Sequence, residues 1–451
     1  MDTFEKTLAY FDPRLCTFDY IHSRSQSLLS VICFIVARVE PEFDSIARQL
    51  DHHVHQTVYP AILAHGFRSV EIVQALLLLA AFASPSENVR EDRSWSLLSH
   101  AARVASEINL QACLSSRRDE HATRATRLEQ RHAQRAWLNL WLHEFSLAQH
   151  TGRHSILAEQ DLFSSCRDWH LDPLARDSDV ALVSMVELRT IIKRNRHLFS
   201  LLPPGNDLFY AEQCKSQLRT WSQTWQNALP LSASISRLEL SRLYVSHALV
   251  QLLGLVLHHQ AKSQWPPSIV MDLYEASSTY LDVFPQRLAA DRLVYCYNSM
   301  WVAASYQVIV AVRLAQLSST FTFIDGTRLL QQCYRVYDCF SRAANQSIES
   351  TAPHCYLRFL GGVLRSLSHD APPGATEEAD TVSSSLEHSP NPDPIAETLV
   401  QLSQGQQPCA MEAPPSDMLA ASELDPLLGF DDLEFFAWAG ASLAQNDNFD
   451  T

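Results

Sequence analysis

The sequence predicts an all-α protein, and three observations lead to this fold class. Only 11 of its 451 residues are glycine, whereas 46% are hydrophobic, which is unusual for a fold rich in hairpins or glycine-based phosphate loops. Apolar residues recur at intervals of three and four over about a dozen segments, without a persuasive alternating strand pattern. No fixed repeat period is present, so a solenoid is not expected. We therefore predict a large multi-helix body.

The most informative segment covers residues 127–157 and predicts a helix at the centre of this body. Its apolar face consists of Ala133, Trp137, Leu140, Trp141, Phe145 and Ala148, and it is flanked by Arg131, Arg135, Asn139 and Glu144. Two tryptophans on one face bury more area than a surface helix needs, so the helix is expected to lie deep in the body. Gly152 follows the last periodic residue, where a left-handed C-terminal cap is expected.

Further helices are predicted on both sides of this segment. Pro13 prevents a single continuous helix over residues 1–20. Before the central segment, helices are predicted at 28–39, at 44–59 with an end at Pro60, at 70–83 with Ser69 as the N-cap, and at 94–110. After it, they are predicted at 179–201, 208–229, 238–260, 269–285, 291–317, 326–349 and 355–367.

Composition and charge divide the chain near residue 370. Residues 1–370 contain 35 acidic and 35 basic side chains, whereas residues 371–451 contain 15 acidic side chains and no Lys or Arg. The second part also holds nine of the 21 prolines and several Ser- and Gln-rich runs. We predict an all-helical body over 1–370 and a disordered acidic tail over 371–451.

The same observations argue against several classes of protein. A neutral body does not attract a phosphate backbone and an acidic tail repels one, so this sequence alone is not expected to bind DNA or RNA directly. No signal peptide is recognised at the N-terminus, and the longest apolar run, 75–83, is too short to cross a bilayer. The ten cysteines are scattered without a C-x-x-C pair and are expected to be reduced thiols.

Motifs for catalysis or metal binding are weak. The sequence has no G-x-G-x-x-G, P-loop or G-x-S-x-G motif. His143-Glu144 begins like H-E-x-x-H, but Leu147 replaces the second histidine, so this metal pair is absent. His52, His53 and His55 are interpreted as ordinary polar positions of a helix. We expect no enzyme activity, no catalytic or metal site and no cofactor.

Two groups of basic residues are interpreted as ordinary helix charges rather than as a binding site. Arg124, Arg127, Arg131 and Arg135 recur at intervals of three and four, which predicts a basic stripe that is either solvated or paired within the molecule. A contact to a partner or to nucleic acid is the alternative. The short basic run at 193–197 is interpreted as helix surface charge.

The stronger functional signal lies in the tail, at 424–438, where aromatic residues and leucines alternate with acids. Flanking carboxylates keep such aromatics solvated yet able to enter an apolar groove, as in activation segments that fold on a coactivator. The alternative is a tail that packs on its own body through the same aromatics. The candidate activation residues are Phe430, Asp431, Asp432, Leu433, Glu434, Phe435, Phe436 and Trp438.

The body resembles the middle homology (regulatory) region of fungal-specific transcription factors of the zinc binuclear cluster class. The resembling stretches occur in order at 10–33, 67–82, 94–110, 135–157, 240–255, 297–314 and 350–367. Family members often have Asp-Arg in the central helix and Gly-Arg-Pro after it, whereas this chain has Glu144-Phe145 and Gly152-Arg153-His154. The resemblance implies a nuclear regulator of a gene set, such as a catabolic or secondary-metabolite cluster.

The six-cysteine zinc cluster of that family would precede residue 1. The resemblance therefore implies that DNA is reached indirectly, through such a cluster outside this sequence or through a DNA-binding partner, and zinc is expected only with that cluster. Coactivators are the expected partners of the tail, and a homo- or heterodimer is left open. The alternative function is a helical scaffold or ligand-binding protein that acts as a non-DNA-binding partner of full-length relatives.

Overall fold

The computed structural model describes residues 10–83, 85, 92–114, 121–151, 153–157, 162–228, 234–258, 264–287, 293–349 and 351–369. Every regular element within these ranges is a helix, which confirms the all-α prediction for the part of the chain that is described. The predicted tail at 371–451 lies outside the described residues, and backbone contacts group the described chain up to Ser366 into one unit.

The helices are numbered here in chain order. The N-terminal half contains α1 (Phe18–Arg24), α2 (Gln26–Val39), α3 (Asp44–His53), α4 (Tyr59–His65), α5 (Val70–Ala81), α6 (Ser94–Glu107) and the central helix α7 (Arg124–His150). It is followed by α8 (Leu162–Cys166), α9 (Asp177–Leu201), α10 (Asp207–Ala228), α11 (Ser234–His258), α12 (Pro267–Arg287), α13 (Asn298–Gln316), α14 (Gly326–Ala344) and α15 (Ala352–His369).

The central helix α7 is enclosed by its neighbours. It contacts α5 and α6 on the N-terminal side and α9 on the C-terminal side. No residue between Arg131 and Ala148 is exposed, and Trp141 stacks on Phe145 with ring centroids 5.3 Å apart. Trp137, Leu140, Trp141, Phe145 and Ala148 are all buried. The residues flanking this apolar face are buried as well, so their charges need partners inside the protein.

Side-chain caps mark two helix starts, and the cap at Ser69 is the one that the sequence predicts. The hydroxyl of Ser69 accepts a hydrogen bond from the Ile72 amide at 3.3 Å, and α5 begins at the next residue. Thr123 caps α7 in the same way through the Thr126 amide at 3.2 Å. Each cap satisfies one of the amides that the first helical turn leaves without a partner.

Ser69→Ala is expected to lower the free energy of unfolding by about 1 kcal/mol, because the Ile72 amide loses its acceptor at the start of a buried helix. Chemical denaturation monitored by circular dichroism measures the change. Ser96→Ala is the matched control, since Ser96 is exposed within α6 and should change stability by less than about 0.5 kcal/mol. Equal effects of the two variants would contradict the role of the cap.

The prediction that the helix starting at residue 44 stops at Pro60 is wrong. The chain instead passes from α3 through a π-helical turn at Val54–Val58 directly into α4, with Pro60 in the first turn of α4. The amide of Tyr59 bonds to the carbonyl of Val54, five residues back. Proline lacks an amide and clashes with the carbonyl four residues earlier in a regular α-helix. The wider π turn accommodates both constraints, so the helical path continues.

Three other predicted bounds change because turns replace helix ends. The helix predicted at 291–317 begins at Asn298, after a turn closed by the Cys296 amide and the Leu293 carbonyl. The helix predicted at 94–110 ends at Glu107, and Asn109 then adopts a left-handed φ of 52°. The helix predicted at 326–349 ends at Ala344. Asparagine tolerates the left-handed conformation at residue 109 better than most residues do.

Candidate functional site

A buried charge cluster anchors the central helix to α9. Arg135 forms a bidentate pair with Asp179, with Nε and Nη2 donating to Oδ1 at 2.9 and 2.7 Å, and Nη2 also contacts Oδ2 at 2.9 Å. Arg131 donates to Oδ2 of the same carboxylate at 2.6 Å. Asp179 and Arg135 are both 0% exposed. Two guanidinium groups therefore share one carboxylate inside the protein.

A second carboxylate comes from the N-terminal segment that precedes α1. Asp12 is fully buried and lies 4.0 Å from Nη2 of Arg135, and it accepts two hydrogen bonds from the Arg14 guanidinium at 2.9 and 2.6 Å. Burial alone would raise the pKa of Asp12, but the Arg14 hydrogen bonds and the Arg135 charge lower it below its usual range. The N-terminal segment is thereby joined to the same cluster.

The aromatic ring of Trp169 covers this cluster. The guanidinium carbon of Arg131 lies 4.0 Å from the ring centroid, and that of Arg135 lies 5.5 Å from it. The Trp169 indole donates to Gln134 at 2.7 Å, and Arg131 donates to the Trp169 carbonyl at 3.1 Å. Cation–π contacts of this kind gain strength where water is excluded.

Of the two interpretations of the arginine stripe, pairing within the molecule is the one observed for three of its members. Arg127 pairs with Asp172 at 3.3 Å, Arg131 and Arg135 pair with Asp179, and Arg124 is exposed. The sequence analysis did not identify Asp12 and Asp179 as the acidic partners. The available signal was an excess of arginines on a helix that is otherwise apolar, which requires acids from other segments.

A cavity of about 160 Å³ lies next to this cluster, bordered by α7, α9, α11, α12 and the start of α13. Four tyrosines line it, and they come from different parts of the chain. They are accompanied by one guanidinium, that of Arg189, and by His143 from the central helix. The tyrosines are Tyr10, Tyr244, Tyr280 and Tyr297. None of the described residues that line this cavity is acidic.

Arg189 is the one basic side chain in this described lining other than histidine. Among the described residues it has no hydrogen bond or ion pair, and burial lowers its pKa from the usual value. Glu187, the acid nearest to it on α9, instead accepts a hydrogen bond from the Trp225 indole. Arg189 occupies one position in the apolar stripe of Leu182, Met185 and Ile192, and this break in the pattern was the available sequence signal.

His143 is held neutral in the cavity wall. Burial, and then the charge of Arg189, lower the pKa of His143 to about 4. Its Nε2 is hydrogen-bonded to the hydroxyl of Tyr10, whose own pKa burial raises well above its usual value. Arg189 is therefore the one permanent positive charge of the described wall, and His143 beside it is neutral near neutral pH. His247, the second histidine of the lining, lies with its Nδ1 3.0 Å from Nε2 of Gln307.

The neighbour of this histidine has a structural role. Glu144 is fully buried and accepts hydrogen bonds from the Ser155 hydroxyl at 2.7 Å and from the Ile156 amide at 2.6 Å. Burial raises the pKa of Glu144, and these two hydrogen bonds oppose the shift. The carboxylate thus fixes the segment that follows α7. The Gly152 cap itself lies outside the described residues.

The other sequence-predicted residues are placed as follows. His52 and His53 are exposed near the end of α3, and His55 lies 3.5 Å from Asp51. No group of three or more His, Cys, Asp or Glu side chains suited to hold a metal ion is found in the described ranges. The nine cysteines that the structure describes are thiols rather than disulfides. The activation residues Phe430 to Trp438 lie outside the described residues.

The fold and the cavity define an all-helical protein with an internal, positively charged cavity. The chain is similar to a protein called priB from Lentinula edodes, with 27% identity over 243 residues, which is 52% of this chain and 39% of that protein. It thus spans less than half the length of this relative. No protein-family model matches the chain, and no solved structure matches it. No described helix is long and apolar enough to span a bilayer.

Proposed function

We propose that this chain is a nuclear transcriptional regulator of a fungal gene set, built from an all-helical regulatory body and an acidic activation tail. The observation that carries the proposal is the contrast between a neutral body and a tail with 15 acidic and no basic side chains. Within that tail the aromatic residues concentrate at 424–438. Acidic segments with interspersed aromatics suit binding to an apolar groove of a coactivator, with folding on contact.

The resemblance to the regulatory region of fungal zinc binuclear cluster factors supports the same function. Its stretches at 67–82, 94–110, 135–157 and 297–314 overlap α5, α6, α7 and α13. The body would act as the part that receives a signal. DNA would be contacted through a zinc cluster outside this sequence or through a partner protein, because the neutral body offers no general attraction for phosphates.

The tail is tested by fusing residues 371–451 to a heterologous DNA-binding domain and measuring reporter expression. We expect activation, and we expect the triple variant Phe435→Ala, Phe436→Ala and Trp438→Ala to lower it about tenfold or more, because buried aromatics dominate such interfaces. Phe449→Ala is the matched control, since Phe449 is an aromatic of the same acidic tail outside 424–438.

Two outcomes would contradict the activation role. One is a fusion that leaves the reporter at its basal level in amounts confirmed by immunoblot. The other is activation that the triple variant and the Phe449 control reduce equally. Fluorescence microscopy of the tagged full chain tests the proposed nuclear location independently of the reporter.

A specific observation also favours the alternative, a ligand-binding protein that acts through partners. The cavity beside α7 combines aromatic walls with a guanidinium that has no partner among the described residues, as small-ligand sites do. The two functions are compatible, because a regulatory body can report a ligand to the rest of the protein. Mobility-shift measurements with and without candidate DNA-binding partners separate a scaffold role from a role on DNA.

A further inference from the structure

The cavity contains a positive charge that the described protein does not neutralise. Burying a guanidinium costs free energy unless a partner offsets the loss of hydration. Arg131 and Arg135 meet this requirement with Asp179 and Asp12. Arg189 does not, since no described acid or carbonyl pairs with it and no acid is present in the described lining. Arg189 is half-buried, and a guanidinium that lines a cavity without an internal anion can pair with an anionic ligand.

An independent observation marks the same cavity as a polar site. The hydroxyl of Tyr280 has no hydrogen-bond partner among the described residues, although the residue is only 1% exposed. Tyr280 belongs to α12 and Arg189 to α9, so two separate helices contribute a buried hydroxyl and a guanidinium that have no hydrogen-bond partner among the described residues to one cavity. Buried polar groups are nearly always satisfied, and an exception calls for a missing partner.

Charge and size restrict what that partner is. The neutral His143 and the tyrosine hydroxyls add no charge, so the one permanent charge of the described wall, on Arg189, balances one negative charge. A doubly charged phosphate would keep one charge that Arg189 does not balance. A cavity of about 160 Å³ is close to the size of one that accommodates benzene, about 150 Å³. Aromatic walls such as those of Tyr244 and Tyr297 suit a flat apolar group.

We propose that this cavity is a binding site for a small organic monocarboxylate, whose carboxylate pairs with Arg189 and accepts from the Tyr280 hydroxyl while its apolar part lies among the tyrosine rings. The guanidinium geometry permits a bidentate pair with the carboxylate. Binding of the carboxylate to the body does not depend on the proposed function, and only a role of that carboxylate as a regulatory signal rests on it.

Titration calorimetry on the full chain tests the site with four carboxylates of increasing size: acetate, butyrate, benzoate and phenylacetate. Benzamide serves as an uncharged probe of similar shape. Phenyl phosphate serves as a probe with more negative charge than a carboxylate. We expect benzoate or phenylacetate to bind with a 1:1 stoichiometry. We expect benzamide and phenyl phosphate to bind about tenfold more weakly or not at all, because each leaves a charge unbalanced.

Arg189→Met is expected to reduce carboxylate binding about tenfold or more while the unliganded protein keeps its helical circular dichroism. Its melting temperature should equal or exceed that of the wild type, since a half-buried charge without a partner among the described residues is removed. Arg194→Met is the matched control, because Arg194 is exposed on the same helix, and it should bind as the wild type does. Tyr280→Phe is a second variant that retains the ring and should weaken binding severalfold.

Three results would overturn the site: no binding of any of the four carboxylates, binding that Arg189→Met leaves unchanged, or equal affinity for benzoate and benzamide. A preference for phenyl phosphate would replace the monocarboxylate with a phosphate ester. Calorimetry reports on the body whether or not the tail activates transcription, so failure of the site and failure of the proposed function are distinguished.

Discussion

Asp179→Asn is expected to lower the free energy of unfolding by about 3–5 kcal/mol, the largest loss predicted for a single polar residue of this protein. The variant keeps the shape of the side chain but removes the charge that Arg131 and Arg135 share. Both guanidinium groups remain buried, at 4% and 0% exposure, and Asp12 at 4.0 Å from Arg135 is already paired with Arg14. Neither arginine can regain full hydration without opening the contact between α7 and α9.

The N-terminus of α9 contributes to the same loss. Asp179 also accepts from the amide of Arg176 at 3.1 Å, so its carboxylate interacts with the positive end of the helix dipole. Urea unfolding followed by circular dichroism and tryptophan fluorescence measures the total effect. Asp282→Asn is the matched control: Asp282 bridges Arg328 and Arg335 at 3.3 Å on the surface and should contribute less than about 1 kcal/mol. Similar losses for the two variants would contradict the buried cluster as an anchor.

Trp301→Ala is expected to cost a comparable 3–5 kcal/mol, through the loss of buried area and the cavity that remains. Trp301 of α13 is 0% exposed. Its ring meets Phe340 of α14 edge-on at 4.6 Å between centroids and lies parallel to Tyr356 of α15 at 6.2 Å. The Trp301 side chain thus connects three helices. Because the core is closely packed, Phe340 and Tyr356 cannot fill the cavity that the missing ring would leave.

Differential scanning calorimetry and denaturant unfolding measure the effect of this truncation. Trp301→Phe should lose distinctly less than Trp301→Ala, because a smaller ring still fills part of the space. Phe18→Ala is the control for an aromatic truncation at the surface, since Phe18 is 66% exposed, and should stay within about 0.5 kcal/mol of the wild type. A Trp301→Ala variant as stable as the Phe18 control would show that the ring cluster does not stabilise the body.

The sequence pattern of the central helix predicts only part of its burial. The spacing of Trp137, Trp141 and Phe145 predicts one buried face, and all three are buried. The pattern did not predict that the opposite faces are buried too. Arg135 looks like a boundary residue in the sequence, yet it is fully buried because Asp179, 44 residues later, neutralises it. Periodicity describes one helix at a time, whereas burial depends on all the helices that surround it.

The cavity of the candidate site could not be predicted from sequence patterns either. Tyr10 and His143 are hydrogen-bonded although 133 residues separate them. Arg189 stands out within its helix only as a basic residue in an apolar stripe. Neither position carries a recognisable motif, because the residues of the site come from the N-terminal segment, α7, α9, α11, α12 and the start of α13. Motif reasoning works where the functional residues are close in sequence, as in the tail segment 424–438.

The sequence by itself determined the all-α class and the cap at Ser69. These features depend on helix periodicity and on hydrogen bonds between residues three or four positions apart, so a short window contains the information. Only the tertiary structure decided which arginines of the central helix are paired, that Arg189 has no partner among the described residues, and where a cavity remains. Those outcomes depend on contacts between distant segments, where the cost of burying a charge is set by the groups that other helices bring to it.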